Sequence, residues 1–420
     1  MASCRERRRA TVEWAVGALL GAAALATVAT AAAPAAAAGL PTATCLACHN
    51  RPAAGPGKSG RVSLNVNAAM FQASVHAALG CAGCHSDVSG FPHQPPPKAV
   101  SCAGCHPQQN AAYAHSVHAK VAPAHPSYPG CLECHGNPHA IRARTDPRSP
   151  VYPLNLPRTC GACHGSPELA KRYGLTATYA LYMDSVHGFA LTEDGLLVAA
   201  QCASCHGAHR ILGPEDPQSR VNRVNIPATC GNCHSGMKAR YFAGIHGKAM
   251  AAGNSHAPVC TDCHTAHQIA RISATAWQVK TVATCGGCHG GQLRSYRDTF
   301  HGQVTRLGFA TTARCWSCHS AHLVLPASDP RSTVAPANLV ATCGKCHAGA
   351  GTSFTTYRPH ADPYNERLNP TLYYATRFMN LLLLSVLVFF GLHTALWLAR
   401  SALHRLGSGP SGGDADGGGR

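Results

Sequence analysis

Residues 160–209 read CGACHGSPELAKRYGLTATYALYMDSVHGFALTEDGLLVAAQCASCHGAH. A C-x-x-C-H motif opens the stretch, and a lone histidine, His187, follows it. A second C-x-x-C-H comes next, then another lone histidine, His209, three residues past the motif's own. The same order recurs over 102–139, 230–267 and 285–322, more loosely over 45–93, and as a half-unit over 343–360. A repeated supersecondary unit of this kind decides the architecture of the whole chain.

The chain has 23 cysteines and 27 histidines in 420 residues, and chance would give about 0.08 copies of C-x-x-C-H at those frequencies. Eleven are present: Cys45, Cys48 and His49; Cys81, Cys84 and His85; Cys102, Cys105 and His106; Cys131, Cys134 and His135; Cys160, Cys163 and His164; Cys202, Cys205 and His206; Cys230, Cys233 and His234; Cys260, Cys263 and His264; Cys285, Cys288 and His289; Cys315, Cys318 and His319; Cys343, Cys346 and His347. Cys4 alone is left over, so no pair remains for a disulfide. Two cysteines three positions apart present both sulfurs on one side of a turn. There they can bond the two vinyl groups of one porphyrin, and the histidine that follows ligates its iron. Zinc ribbons also use C-x-x-C pairs, but they join two pairs to one metal and need no histidine after every second cysteine. The motif therefore predicts eleven covalent c-type haems.

The free histidines match the motifs in number: His76, His93, His118, His139, His187, His209, His246, His267, His301, His322 and His360. The first cysteine of a unit and its first free histidine are 16 residues apart in three units, and 17 apart in the half-unit ending at His360. For His93 and His360 the alternatives are His115 and His125. A histidine three residues past a proximal ligand is too close to reach the other face of the same ring, so it is expected to serve a neighbouring haem and cross-link the units. Two imidazoles per iron leave no open position, so an electron carrier without catalytic residues is expected. The alternative is a multihaem reductase of small nitrogen or sulfur oxyanions.

Composition agrees. Aromatic residues are 6% of the chain and charged residues 13%, while there are 41 glycines and 29 prolines. From Cys45 to His347 there are about 28 residues per motif, too few to bury an apolar core without porphyrin. The apoprotein is expected to fold poorly, as metal-dependent small domains do. Strand signals are sparse, and Ser166-Pro167-Glu168 reads as the start of a helix leading to His187. The formal charge of +17 compensates haem propionates in this reading, which excludes a nucleic-acid surface.

With these motifs the chain resembles the class III multihaem cytochromes c over about residues 45–360. The resemblance implies a mainly α fold with much coil, organised around stacked haems, and an electron carrier. Octahaem reductases share the motif but often carry a lysine-ligated haem, and no C-x-x-C-K occurs here.

Two further segments concern location. Residues 1–38 read as a signal peptide, with a basic start at 4–9 and an apolar stretch after Trp14. Residues 378–399 form an uncharged run long enough to span a bilayer, followed by Arg400, His404 and Arg405. The expected order is signal peptide 1–38, multihaem domain 39–360, linker 361–377, transmembrane helix 378–399 and flexible cytoplasmic tail 400–420. The haem domain then faces the periplasm from the cytoplasmic membrane. Its expected partners are a quinone-linked or b-type cytochrome subunit and a periplasmic or outer-surface redox protein. His393 lies within the span and is a candidate contact for that subunit.

Overall fold

The computed structural model describes residues 40–52, 54–57, 60–93, 96–121, 129–174, 178–309 and 311–407. The signal-peptide reading, His125 and most of the tail lie outside them. The described chain is mainly helical with much coil, as expected, plus one antiparallel hairpin pairing Ala54–Gly57 with Gly60–Ser63. Residues 40–68 and 76–100 form one compact unit, and residues 69–75 and 101–407 another.

Helices are short because the motifs set their length. The second motif of each full unit from unit two onward is a one-turn helix by itself: Cys131–His135, Cys202–His206, Cys260–His264 and Cys315–His319. Each turn is closed from within. The side chains of Glu133, Ser204, Asp262 and Ser317 accept a hydrogen bond from the backbone N–H just before the first cysteine, at 2.6 to 3.1 Å. This satisfies a donor that a helix start otherwise leaves unpaired. The first motif instead ends a longer helix, as in Leu156–His164.

Little is buried. Leu191, Val259, Leu325 and Tyr296 are among the few buried apolar side chains, and Ser116, Ser149, Ser185 and Ser219 are buried as completely. The serines organise turns. Ser149, Ser219 and Ser332 donate to the carbonyls of Arg142, Leu212 and Leu325. Asn155, Asn225 and Asn338 donate to two carbonyls each, and Thr159, Thr229 and Thr342 close the same loops. The shared pattern, D-P-x-S-x5-N-x3-T-C, precedes the motifs at Cys160, Cys230 and Cys343.

Two expected elements have other bounds. Ser166 caps a helix by accepting from Leu169 N, but that helix, Pro167–Tyr173, ends at Gly174 in the left-handed conformation. His187 sits on a separate helix, Val186–Thr192. The second difference is at the C-terminus. One helix, Pro370–Gly407, contains the apolar run 378–399, takes in part of the expected linker, and is exposed along its length. It is long and apolar enough to cross a membrane by length and composition.

Candidate metal centres

Each lone histidine of the 118, 187, 246 and 301 set is placed by the same device. A tyrosine five residues earlier (Tyr113, Tyr182, Tyr241 or Tyr296) donates its hydroxyl to the carbonyl of Pro129, Ala200, Pro258 or Ala313, two residues before the next motif, at 2.8 to 3.1 Å. A hydroxyl two residues before the histidine then caps its helix: Ser116, Ser185 and Thr299 accept from Ala119, Gly188 and Gly302 N. Glycine follows His187, His246 and His301, where the preceding helix is in contact, while Ala119 follows His118. A Cβ at Gly188, Gly247 or Gly302 would lie 2.1 to 2.2 Å from a tyrosine carbonyl oxygen. A backbone bond ties the residue before His76, His118, His187 and His246 to the following unit: Val75 to Ile141, Val117 to Ile211, Val186 to Ile269 and Ile245 to Val324.

These constraints bring histidines together in pairs. His118 faces His164 with ring centres 6.2 Å apart, His187 faces His234 at 6.1 Å, His246 faces His289 at 6.2 Å and His301 faces His347 at 6.0 Å. In each, a lone histidine of one unit opposes the motif histidine that opens the next. His135 faces His209 at 6.1 Å, His206 faces His267 at 6.0 Å and His264 faces His322 at 6.0 Å. Here the motif histidine closing one unit opposes the lone histidine closing the next. The ends depart from this register: His49 pairs with His93 inside its own unit at 6.0 Å, and His319 with His360 at 6.1 Å. So His93 and His360 oppose motif histidines, and His115 is in no such pair among the described residues. His76 lies just before the turn Ala77–Leu79, His106 just before the helix Pro107–Ala114, and His139 within the turn Pro138–Ala140. His85 closes the turn of its own motif through a bond to Cys81 O.

The spacing has a direct chemical meaning. A metal–imidazole bond is about 2.0 Å and the ring centre lies about 1.1 Å beyond the nitrogen, so two imidazoles on one metal put their centres about 6.2 Å apart. The nine pairs at 6.0 to 6.2 Å fit one iron each. Two rings are also held by their far nitrogen, which leaves Nε2 for a metal: His49 Nδ1 to Leu64 O at 2.9 Å, and His360 Nδ1 to Ser295 Oγ at 3.1 Å. Burial pushes His118, His187, His206, His246 and His264 below the ordinary histidine range, which keeps them neutral as ligands require. A cavity of about 690 Å³ lies against one pair and its motif, lined by Phe300, His301, Val304, Leu307, Phe309, Cys346 and His347.

The ring planes divide the pairs. Pairs whose lone histidine closes a unit are near-parallel, at 8°, 3° and 11°, as is His49–His93 at 9°. Pairs whose lone histidine starts a tyrosine-held helix are tilted, at 52°, 38°, 39° and 49°. His319–His360 occupies a near-parallel position in the register yet is tilted at 37°.

The sulfurs follow the sequence. Within each full unit the first cysteines of the two motifs are neighbours: Cys45 and Cys81, Cys102 and Cys131, Cys160 and Cys202, Cys230 and Cys260, and Cys285 and Cys315. Between units, burial first and the next unit's cysteines second push Cys205 and Cys318 up, and Cys263 up to about 11.

Comparison with known proteins agrees with this chemistry. Residues 54–164 match the model of the Class III cytochrome C family. The chain is 24% identical over 337 residues to the high-molecular-weight cytochrome c of Nitratidesulfovibrio vulgaris (strain Hildenborough). That alignment covers 73% of this chain and 56% of the relative, so the chain spans little more than half the relative's length. No solved structure matches it significantly. Over residues 54–164 the chain is thus similar to the class III cytochromes c. The motifs and this likeness together are those of a chain that binds c-type haem covalently.

Proposed function

We propose that the chain is a membrane-anchored electron conduit carrying eleven haems, each attached at one C-x-x-C-H motif and ligated by two histidines. The nine histidine pairs at 6.0 to 6.2 Å carry this reading. The nine pairs use nine motif histidines and nine lone ones, and the two motif histidines left, His85 and His106, match in number the two lone ones left, His76 and His139. Ligands shared between consecutive units lock each unit to the next, and the row of neighbouring sulfurs supports haems ordered as in the sequence. Haem supplies a one-electron Fe(III)/Fe(II) couple whose potential is set by its axial ligands, burial and nearby charge. The protein holds each couple in place and fills its axial positions, which favours conduction over reduction of nitrogen or sulfur oxyanions.

The anchor in this reading is the exposed helix Pro370–Gly407, spanning the bilayer over 378–399. Residues 1–38 are an export signal, 39–360 the haem domain on the periplasmic side, and 400–420 a cytoplasmic tail. Electrons pass between a quinone-linked or b-type cytochrome subunit in the membrane, near His393, and a periplasmic or outer-surface redox protein. Truncation after Arg367 tests the anchor. It should release a soluble domain with its full haem content that dithionite still reduces, and abolish quinol-dependent reduction in membranes. A truncated protein that stays with washed membranes, or one that quinol reduces at the full-length rate, would contradict the proposal.

A further inference from the structure

Among the motifs that open units three to five and the half-unit, that at Cys285 alone lacks the D-P-x-S clamp, and a 14-residue helix, Thr275–Cys288, takes its place. That helix carries Trp277, whose indole stacks on His264 at 5.6 Å and 15°. Trp316, between Cys315 and Cys318, lies 6.0 Å from Trp277. The guanidinium of Arg314 sits 5.1 Å from the centre of the Trp316 ring and donates to Gln278 Oε1 at 2.8 Å. Arg314 is only 7% exposed, and its Nε–H has no hydrogen-bond acceptor. A buried cation with an unused donor is costly unless an anion meets it, and the propionates of c-type haem are such anions. At the equivalent position, just before the second motif of the other units, stand Gly80, Gly130, Gln201 and Val259, none of them charged.

We propose that Arg314 is a potential-setting residue that makes the centre held by Cys315, Cys318, His319 and His360 the electron sink of the array. The proposal rests on the reading that this motif carries haem. Reduction removes one positive charge at iron, so a fixed cation nearby favours the ferrous form. The indoles act with it: Trp316 holds the guanidinium by cation–π attraction, and the pair of rings excludes water, which also disfavours the more charged ferric form. The cation belongs to the motif loop itself, directly before Cys315, so its field acts most on the centre at Cys315. The sink lies near the C-terminal helix in sequence, since His360 precedes Pro370 by ten residues. The same centre is the one whose ligand planes break the alternation.

The test is potentiometric titration of the holoprotein followed by visible and EPR spectra. In R314M one centre should become at least tenfold harder to reduce, a fall of about 59 mV for a one-electron couple. In R314K, which keeps the charge, that shift should be less than half as large. Gln201→Arg introduces the charge into unit three, where it should raise the potential of one centre, and it serves if R314M loads haem poorly. Unchanged potentials in R314M and Q201R, or an equal fall in R314M and R314K, would overturn the proposal. Peptide mass analysis of 315–319 in the unmutated protein separates the two levels: an empty motif there refutes the haem assignment, not the role of the charge.

Discussion

The tilted and near-parallel centres differ in how the distal histidine is delivered. At the tilted centres it starts a helix and is fixed by a tyrosine, a cap and a glycine contact, as at Tyr182, Ser185 and Gly188. At three of the four near-parallel centres, those of His209, His267 and His322, it follows a motif turn by three residues, so one backbone path fixes two imidazoles belonging to two different irons; at the fourth, His93 stands eight residues past His85. That coupling lets little vary, and the angles there span only 3° to 11°, against 37° to 52° elsewhere. His360 is not delivered by a C-H-x-x-H turn either, and its pair is tilted at 37°. The relative orientation of two axial imidazoles sets which iron d orbitals they stabilise. The array is therefore expected to hold two electronic kinds of low-spin iron in alternation.

The largest expected effect comes from deleting a ligand of either kind. His209→Ala and His187→Ala should each turn one centre high-spin while every covalent attachment survives in the intact mass. The first should remove intensity from the near-parallel EPR class and the second from the tilted class. A loss from the same class in both variants would break the distinction. Smaller, and confined to the tilted kind, is Gly188→Val. Its Cβ would lie 2.2 Å from Tyr182 O, so the helix must shift, at about 1 to 3 kcal/mol. The His187–His234 signal should change and thermal stability fall, with the near-parallel signals intact. Tyr182→Phe leaves the Ala200 carbonyl without its donor and should cost about 1 kcal/mol in denaturant unfolding of the holoprotein. The smallest effect is at the cap. Ser185→Ala should cost about 1 kcal/mol and Ser185→Gly only a few tenths. Unit four already has Gly244 at this position.

The motifs and the register of lone histidines were legible in the sequence because covalent attachment needs its residues at fixed spacing. The mainly helical, coil-rich fold followed, since so short a repeat offers no other core. His209, His267 and His322, expected to serve neighbouring units, lie opposite His135, His206 and His264. The tyrosine five residues before a lone histidine and the D-P-x-S clamp went unread, although both recur, because neither touches a metal and each acts only through backbone carbonyls. The helix from Pro167 stops short of His187 because Gly174 turns it, a local signal outweighed in the reading by the strong start at Ser166. His93 and His360 lie at the ends of the array, where the repeat that would have fixed their partners runs out.

The central claim is eleven bis-histidine centres of two kinds. EPR of the fully oxidised holoprotein, normalised to the haem number from intact mass, tests it most directly. The account predicts eleven haems, no high-spin signal, and two low-spin families. One is rhombic, from the near-parallel pairs. The other is strongly anisotropic with a single dominant low-field feature, from the tilted pairs. Eight or fewer haems in a homogeneous mature protein, or a stoichiometric high-spin iron, would contradict it.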